Sequence, residues 1–175
     1  MRRSPRPPAE SGAGRSPDRP APPPLLVRTG TDLTEVARVE KVMSTQPGLR
    51  ERVFTPRELD YCYRRGHPGE HLAGRWAAKE AVLKSLGTGM GPRMEWTDIE
   101  VVNERGGRPQ VRLYGEVAAV ARSLGMDHID VSLSHSGGLA VAYAAMVCLP
   151  PAPDTTDTAP AHTMHTTEGD DRYEA

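Results

Sequence analysis

"LAGRWAAKEAVLKSLGTG" (residues 72–89) reads as one helix running into a glycine-rich stop. Its Leu, Ala, Lys and Glu residues are strong helix formers, no proline interrupts it, and Gly87 stands where a left-handed C-cap belongs. At 100° per residue, Leu72, Trp76 and Leu83 fall in one narrow stripe, the predicted core face. Glu80 lies at the edge of that stripe, and Lys84 lies beyond it on the same side. As i,i+4 neighbours the two can be a helix-stabilising pair worth a few tenths of a kcal/mol. Spacing alone favours that reading over a carboxylate and an ammonium set at the mouth of a site. The Gly87-Thr88-Gly89 that follows exposes backbone N–H groups as a phosphate-binding loop does, although glycines also simply end helices.

Upstream, "LLVRTG" (25–30) is a predicted strand, and "DLTEVARVEKVMS" (32–44) has apolar residues at helical spacing. Asp32 with Glu35 three residues later predicts a capping box at the start of that helix. "TPRELDYCY" (55–63) predicts a second helix, with Thr55 as N-cap, Pro56 at its first position and Glu58 closing the box. "GHPGEH" (66–71) reads as a loop, with the long helix beginning near residue 70. Downstream the period changes to two. "DIEVV" (98–102) and "PQVRLYG" (109–115) flank a Gly106-Gly107 turn, "EVAAVARSLG" (116–125) is a helix, and "DHIDVSLSH" (127–135) and "LAVAYAAMVCL" (139–149) are strands joined at "SGG". The order β-α-α-α-β-β-α-β-β predicts an α+β domain with antiparallel strands and helices packed on one face.

The ends differ from this middle. Residues 1–24 and 150–175 are dominated by Pro, Ala, Ser, Thr, Gly and charge, too little apolar surface to offset the entropy of ordering, and both are expected to be disordered. The first carries five arginines against two acids, and the second six acids against one arginine. The net charge of −1 therefore leaves a near-neutral folded unit at 25–149. A neutral core without an aromatic-basic platform argues against nucleic-acid binding. No apolar run is long enough for a membrane span, and the arginine-rich start has no apolar segment of a secretory signal. Two cysteines, Cys62 and Cys148, without CxxC spacing, fit a reducing cytoplasmic setting rather than a zinc site or a disulfide framework.

Asp32 has two readings. An N-cap aspartate needs no further role; alternatively, "GTD" at a strand end projects a carboxylate into a cleft. Asp32 and Glu80 together would suit a hard cation such as Mg²⁺, which takes one or two protein carboxylates and completes its shell with water and substrate phosphates. His135 in "SLSHSGG" is a strand-end histidine, more often structural than catalytic. Walker A, GxGxxG, GxSxG and HExxH patterns are absent.

Five stretches together resemble the holo-acyl-carrier-protein synthases, the small single-domain branch of the 4′-phosphopantetheinyl transferases. They are "GTDLTEVARVE" (30–40), "RVFTPREL" (52–59), "LAGRWAAKEAVLKSLGTG" (72–89), "DIEVVNERGGRPQVRLYGE" (98–116) and "VSLSHSGGLAVAYA" (131–144), in the family's order and spacing. The resemblance implies Mg²⁺-dependent transfer of the 4′-phosphopantetheine arm of coenzyme A (CoA) to a serine of an apo acyl carrier protein, releasing adenosine 3′,5′-bisphosphate. It implies Asp32 and Glu80 as metal ligands, and Glu80 and Lys84 as catalytic residues. Arg75, Lys84, Gly87, Thr88, Gly89, Arg108 and His135 would line CoA. Arg38 would be a docking arginine for the acidic helix of the carrier, with Lys41, Arg50 and Arg52 extending a basic face. Some members have an arginine near Pro47 or Gly48, which this chain lacks. The resemblance further implies a homotrimer with CoA between subunits. It leaves open whether the carrier serves fatty-acid or polyketide synthesis. A non-catalytic CoA- or carrier-binding module of the same fold is the competing reading, which loss of Asp32, Glu80 or Lys84 would favour; all three are present.

Overall fold

The computed structural model describes residues 24–150, so the expectations for the two tails lie, but for Pro24 and Pro150, outside the described residues. The order of elements is β1 (Leu26–Glu35), α1 (Val36–Thr45), α2 (Leu49–Val53), α3 (Pro56–Tyr63), α4 (Pro68–Leu86), a 3₁₀ turn (Trp96–Asp98), β2 (Ile99–Asn103), β3 (Pro109–Leu113), α5 (Gly115–Ser123), β4 (Met126–Ser136) and β5 (Leu139–Cys148). The α+β class and the antiparallel pairing are as predicted. The strands form two sheets: a three-stranded one in the order β1-β5-β4, and the β2-β3 hairpin. Gly137 and Gly138 join β4 to β5 with φ of 58° and 78°, the left-handed pair that a two-residue hairpin turn requires.

Small residues bring α4 against the larger sheet. Along β5 the buried positions alternate as Ala140, Ala142, Ala144, Met146 and Cys148, a period of two that defines the helix-facing side. Across from Ala144 lies Gly30 of β1. A Cβ at Gly30 would meet the carbonyl oxygen of Ala81, and Ser85 N at 2.7 Å, so only glycine lets α4 cross here. With Ala77, Ala78, Ala81, Val82 and Leu86 all buried, α4 is enclosed on nearly every side rather than along the narrow stripe predicted. The strand on one side, the β2-β3 hairpin and α5 on another, and α1 to α3 over its first half together cover it.

Two boundaries differ from expectation for identifiable reasons. Residues 31–35 are strand, because each pairs with β5 between Leu139 and Tyr143. The predicted Asp32–Glu35 capping box does not form, and α1 starts at Val36 with no side-chain cap. The helix α4 begins at Pro68, the first-turn position proline tolerates, so most of the predicted loop at 66–71 is helical. The Thr55–Glu58 capping box of α3 is present as predicted.

Candidate functional site

Strand periodicity decides where Asp32 points. Gly30, Asp32 and Thr34 share the side of β1 that faces α4, whereas Thr31 and Leu33 face away. Asp32 thereby meets the last two turns of α4. The Lys84 ammonium donates to Asp32 Oδ1 at 2.8 Å and to the Thr31 carbonyl at 2.9 Å. The Thr34 hydroxyl donates to Asp32 Oδ2 at 2.7 Å. Both oxygens of a carboxylate that is only 15% exposed are thus engaged.

Glu80 shares a cleft of about 250 Å³ with Asp32, Thr34 and Arg38, whose apolar wall includes Val42 and Trp76. Burial pushes the Glu80 carboxyl above its ordinary pKa, and the neighbouring Asp32 charge pushes it further up, against an opposing pull from Lys84. Two carboxylates that repel one another at the edge of a cleft are a donor set that a divalent cation would relieve. Among the described residues no group of three or more His, Cys, Asp or Glu forms a metal cluster, and Mg²⁺ needs no more than these two carboxylates when phosphates complete its shell.

The other predicted site residues are distributed around this cleft. Arg75 is buried; its guanidinium lies over the Tyr61 ring at 4.0 Å and donates to Asn103 Oδ1 at 2.7 Å, while its Nε finds no partner. It lines a basic hollow with Arg57, Arg64 and Arg65. His71 joins that hollow to His135 by edge-on ring contacts with Tyr61 and with His135. Burial and then the cations and imidazole around it lower the His71 pKa. His135 Nε2 sits 3.3 Å from Glu70. Five residues separate Arg75 from Glu80, about 140° around the helix, so α4 presents the two groups on different faces. Gly87 is the left-handed cap of α4, Gly89 also has positive φ, and the Thr88 hydroxyl donates to the Gly89 carbonyl. Arg108 pairs with Asp130 at 2.5 Å in a groove between β3 and β4, apart from the Asp32 cleft. Arg38 lines the Asp32–Glu80 cleft itself. Lys41 and Arg50 line a groove on the other side of α1, where Arg50 donates to the Tyr63 hydroxyl, and Arg52 lies in a third groove with Trp96.

Lys79 was not among the predicted site residues. It is fully buried beside Glu80, donating to Glu58 Oε2 (2.8 Å), the Val53 carbonyl (2.7 Å) and the Trp96 carbonyl (3.0 Å). Glu58 also accepts from Thr55 N and Val101 N, so one ion pair ties α2, α3, the 3₁₀ turn and β2 to α4. The capping-box pattern marked Glu58, but nothing in the sequence pairs it with Lys79, 21 residues away. Tyr61 and His71 carried no comparable pattern.

The family model described as the 4′-phosphopantetheinyl transferase superfamily matches residues 28–144. A holo-acyl-carrier-protein synthase of Moorella thermoacetica is 48% identical over 124 residues, covering 71% of this chain and 93% of that protein. Among solved structures, an apo synthase from Chronobacterium ammoniagenes superposes with a TM-score of 0.67 at 32% identity, covering 73% of this chain and all of that one. A complex of the same organism's synthase with CoA gives 0.63 at 34% identity, covering 71% and 98%.

Proposed function

The chain belongs to the 4′-phosphopantetheinyl transferase superfamily, and from that premise we propose that it is a holo-acyl-carrier-protein synthase, moving 4′-phosphopantetheine from CoA to a serine of an apo acyl carrier protein. The observation that carries the reading is the meeting of Asp32 from β1 with Glu80 and Lys84 from α4 at one cleft, with Arg38 beside it. In this reading Asp32 and Glu80 hold Mg²⁺, which when bound offsets charge on the pyrophosphate. The serine oxygen attacks the β-phosphorus as the bond to the adenosine 3′,5′-bisphosphate leaving group breaks in line. Lys84 offsets the charge left on the phosphoryl oxygens. Glu80 lines the cleft from which the serine proton would be drawn.

Arg75, His135 and the Gly87–Gly89 turn would bind the remaining phosphates of CoA, supported by the basic hollow around Arg75 and its unpartnered Nε. We assign Arg108 the adenosine end, and assign carrier docking to Arg38, Lys41, Arg50 and Arg52, whose charge complements an acidic helix. The catalytic unit is 25–149. The assembly is a homotrimer. Its support is the outer face of the β1-β5-β4 sheet, where Leu33, Val141 and Tyr143 are exposed side by side, with Val27 further along β1, and where a neighbouring subunit would cover them. No helix of the described residues is long and apolar enough to cross a membrane, and both cysteines are free and buried, as suits the cytoplasm.

Intact-protein mass spectrometry of an apo acyl carrier protein incubated with this protein, CoA and Mg²⁺ tests the reading. The expected result is a phosphopantetheine mass gain that EDTA abolishes. No gain with several carriers would favour the binding-module reading instead.

A further inference from the structure

Lys84 already sits on an Asp32 oxygen that a cation at this carboxylate would draw on. Asp32 Oδ2 is taken by the Thr34 hydroxyl at 2.7 Å, and Oδ1 by the Lys84 ammonium at 2.8 Å. The ammonium spends a second donor on the Thr31 carbonyl, which fixes it over β1. Lys84 is nonetheless half exposed, with a side-chain accessibility of 50% against 15% for Asp32. Its four-carbon stem leaves the last turn of α4 beside Gly30 and carries the ammonium out to solvent. One partner is therefore anchored and the other can swing. An ion pair this exposed is worth about a factor of five or less in an equilibrium constant, so it yields to a doubly charged competitor.

We propose that Lys84 is an exchangeable counter-ion: it holds the Asp32 carboxylate until a divalent cation takes that oxygen, and the ammonium so released moves to the CoA phosphates. This rests on the reading of Asp32 and Glu80 as metal ligands. Two consequences follow from the geometry. Without CoA, Lys84 opposes cation binding, because its bonds to Asp32 and Thr31 must break first. With CoA the sign reverses, because the released ammonium gains phosphate partners, so cation and CoA each strengthen the other's binding through one side chain. The exchange also keeps two neighbouring carboxylates from standing uncompensated at any stage.

The test uses the full chain and Mn²⁺ as the probe metal, with free Mn²⁺ read by electron paramagnetic resonance. In the absence of CoA, Lys84→Met is expected to bind Mn²⁺ about three- to fivefold more tightly than wild type. Lys84→Arg, which can still reach Asp32, stays within about twofold. CoA should tighten Mn²⁺ binding by a smaller factor in Lys84→Met than in wild type. A lysine acting only as a nearby positive charge would give the first result too. The ammonium signal of Lys84 in ¹⁵N-lysine-labelled protein, assigned by its loss in Lys84→Met, separates the cases. It should shift as Mg²⁺ saturates the site; a signal unmoved at saturation overturns the exchange. Equal Mn²⁺ affinity in wild type and Lys84→Met, alongside EDTA-sensitive transfer, overturns the exchange and leaves the metal reading standing. Transfer indifferent to EDTA overturns both.

Discussion

Replacing Lys79 with Met should be among the most destabilising single changes in the protein. The ammonium is fully buried and donates to three acceptors, one of them the equally buried Glu58 carboxylate. Burial lowers the Lys79 pKa, and the charge and hydrogen bond of Glu58 pull it back up, so the pair is held together by mutual need. Methionine fills similar volume but leaves Glu58 charged with only the Thr55 and Val101 N–H groups, and leaves the Val53 and Trp96 carbonyls without a donor. Breaking one side of a buried pair costs about 3–5 kcal/mol. At about 3–5 °C per kcal/mol for a unit of this size, Tm should fall by roughly 10–20 °C. Scanning calorimetry at fixed protein concentration reads this directly. Lys79→Met/Glu58→Gln should recover part of the loss, because the uncompensated charge is gone. A single variant within about 1 kcal/mol of wild type would refute the reasoning, as it would mean that Glu58 is solvated or protonated without cost. A double variant as unstable as the sum of its parts would show that the two side chains act independently.

The remaining predictions separate chemistry from folding. Glu80→Ala should lower transfer by about 10²-fold or more while Tm moves little, because the residue is partly exposed and leaves no unpaired buried group; unfolding would instead assign it a packing role. Arg38→Ala should raise the KM for the carrier about three- to tenfold with kcat nearly unchanged, and an unmoved KM would place docking elsewhere. Gly30→Ala forces a methyl group into the Ala81 carbonyl and should cost about 3 kcal/mol, seen as an earlier urea midpoint at unchanged slope. Burial pushes the Cys62 thiol up to about 11, so it should resist iodoacetamide at pH 8 in the native protein and react on denaturation. Because that folded-state pKa lies above the ordinary 9.0, its contribution to stability is complete below pH 9 and is lost as pH rises toward 11.

Local signals carried the elements that have local causes. Thr55, Pro56 and Glu58 satisfy the first turn of α3 from within four residues, and the glycine pairs at 106–107 and 137–138 supply turns that need no distant partner. Residues 139–149 read as a strand, but a run that is apolar throughout does not say which side faces the helix. The strings around Asp32, Glu80 and Lys84 were distinctive enough to imply a family and the residues of its site. Periodicity alone could not say whether Asp32 capped a helix or lined a cleft, since both begin at the end of a short apolar run.

Pairing across more than a hundred residues settled it. The ladder with residues 139–143 holds Thr31 to Glu35 extended, and that turns Asp32 toward α4 instead of leaving it at a helix start. The wheel of α4 failed for a related reason: a helix wrapped by a sheet, a hairpin and three other helices buries nearly every face, so no stripe describes it. Lys79 shows the limit most sharply. In sequence it is a lysine next to a glutamate on a helix, a pattern that reads as solvated surface. Its three acceptors come from residues 53, 58 and 96, and only the assembled fold brings them to one point. Residue types and spacing determined which groups this protein has to work with; long-range packing, which alone sets desolvation and distance, decided which of them meet.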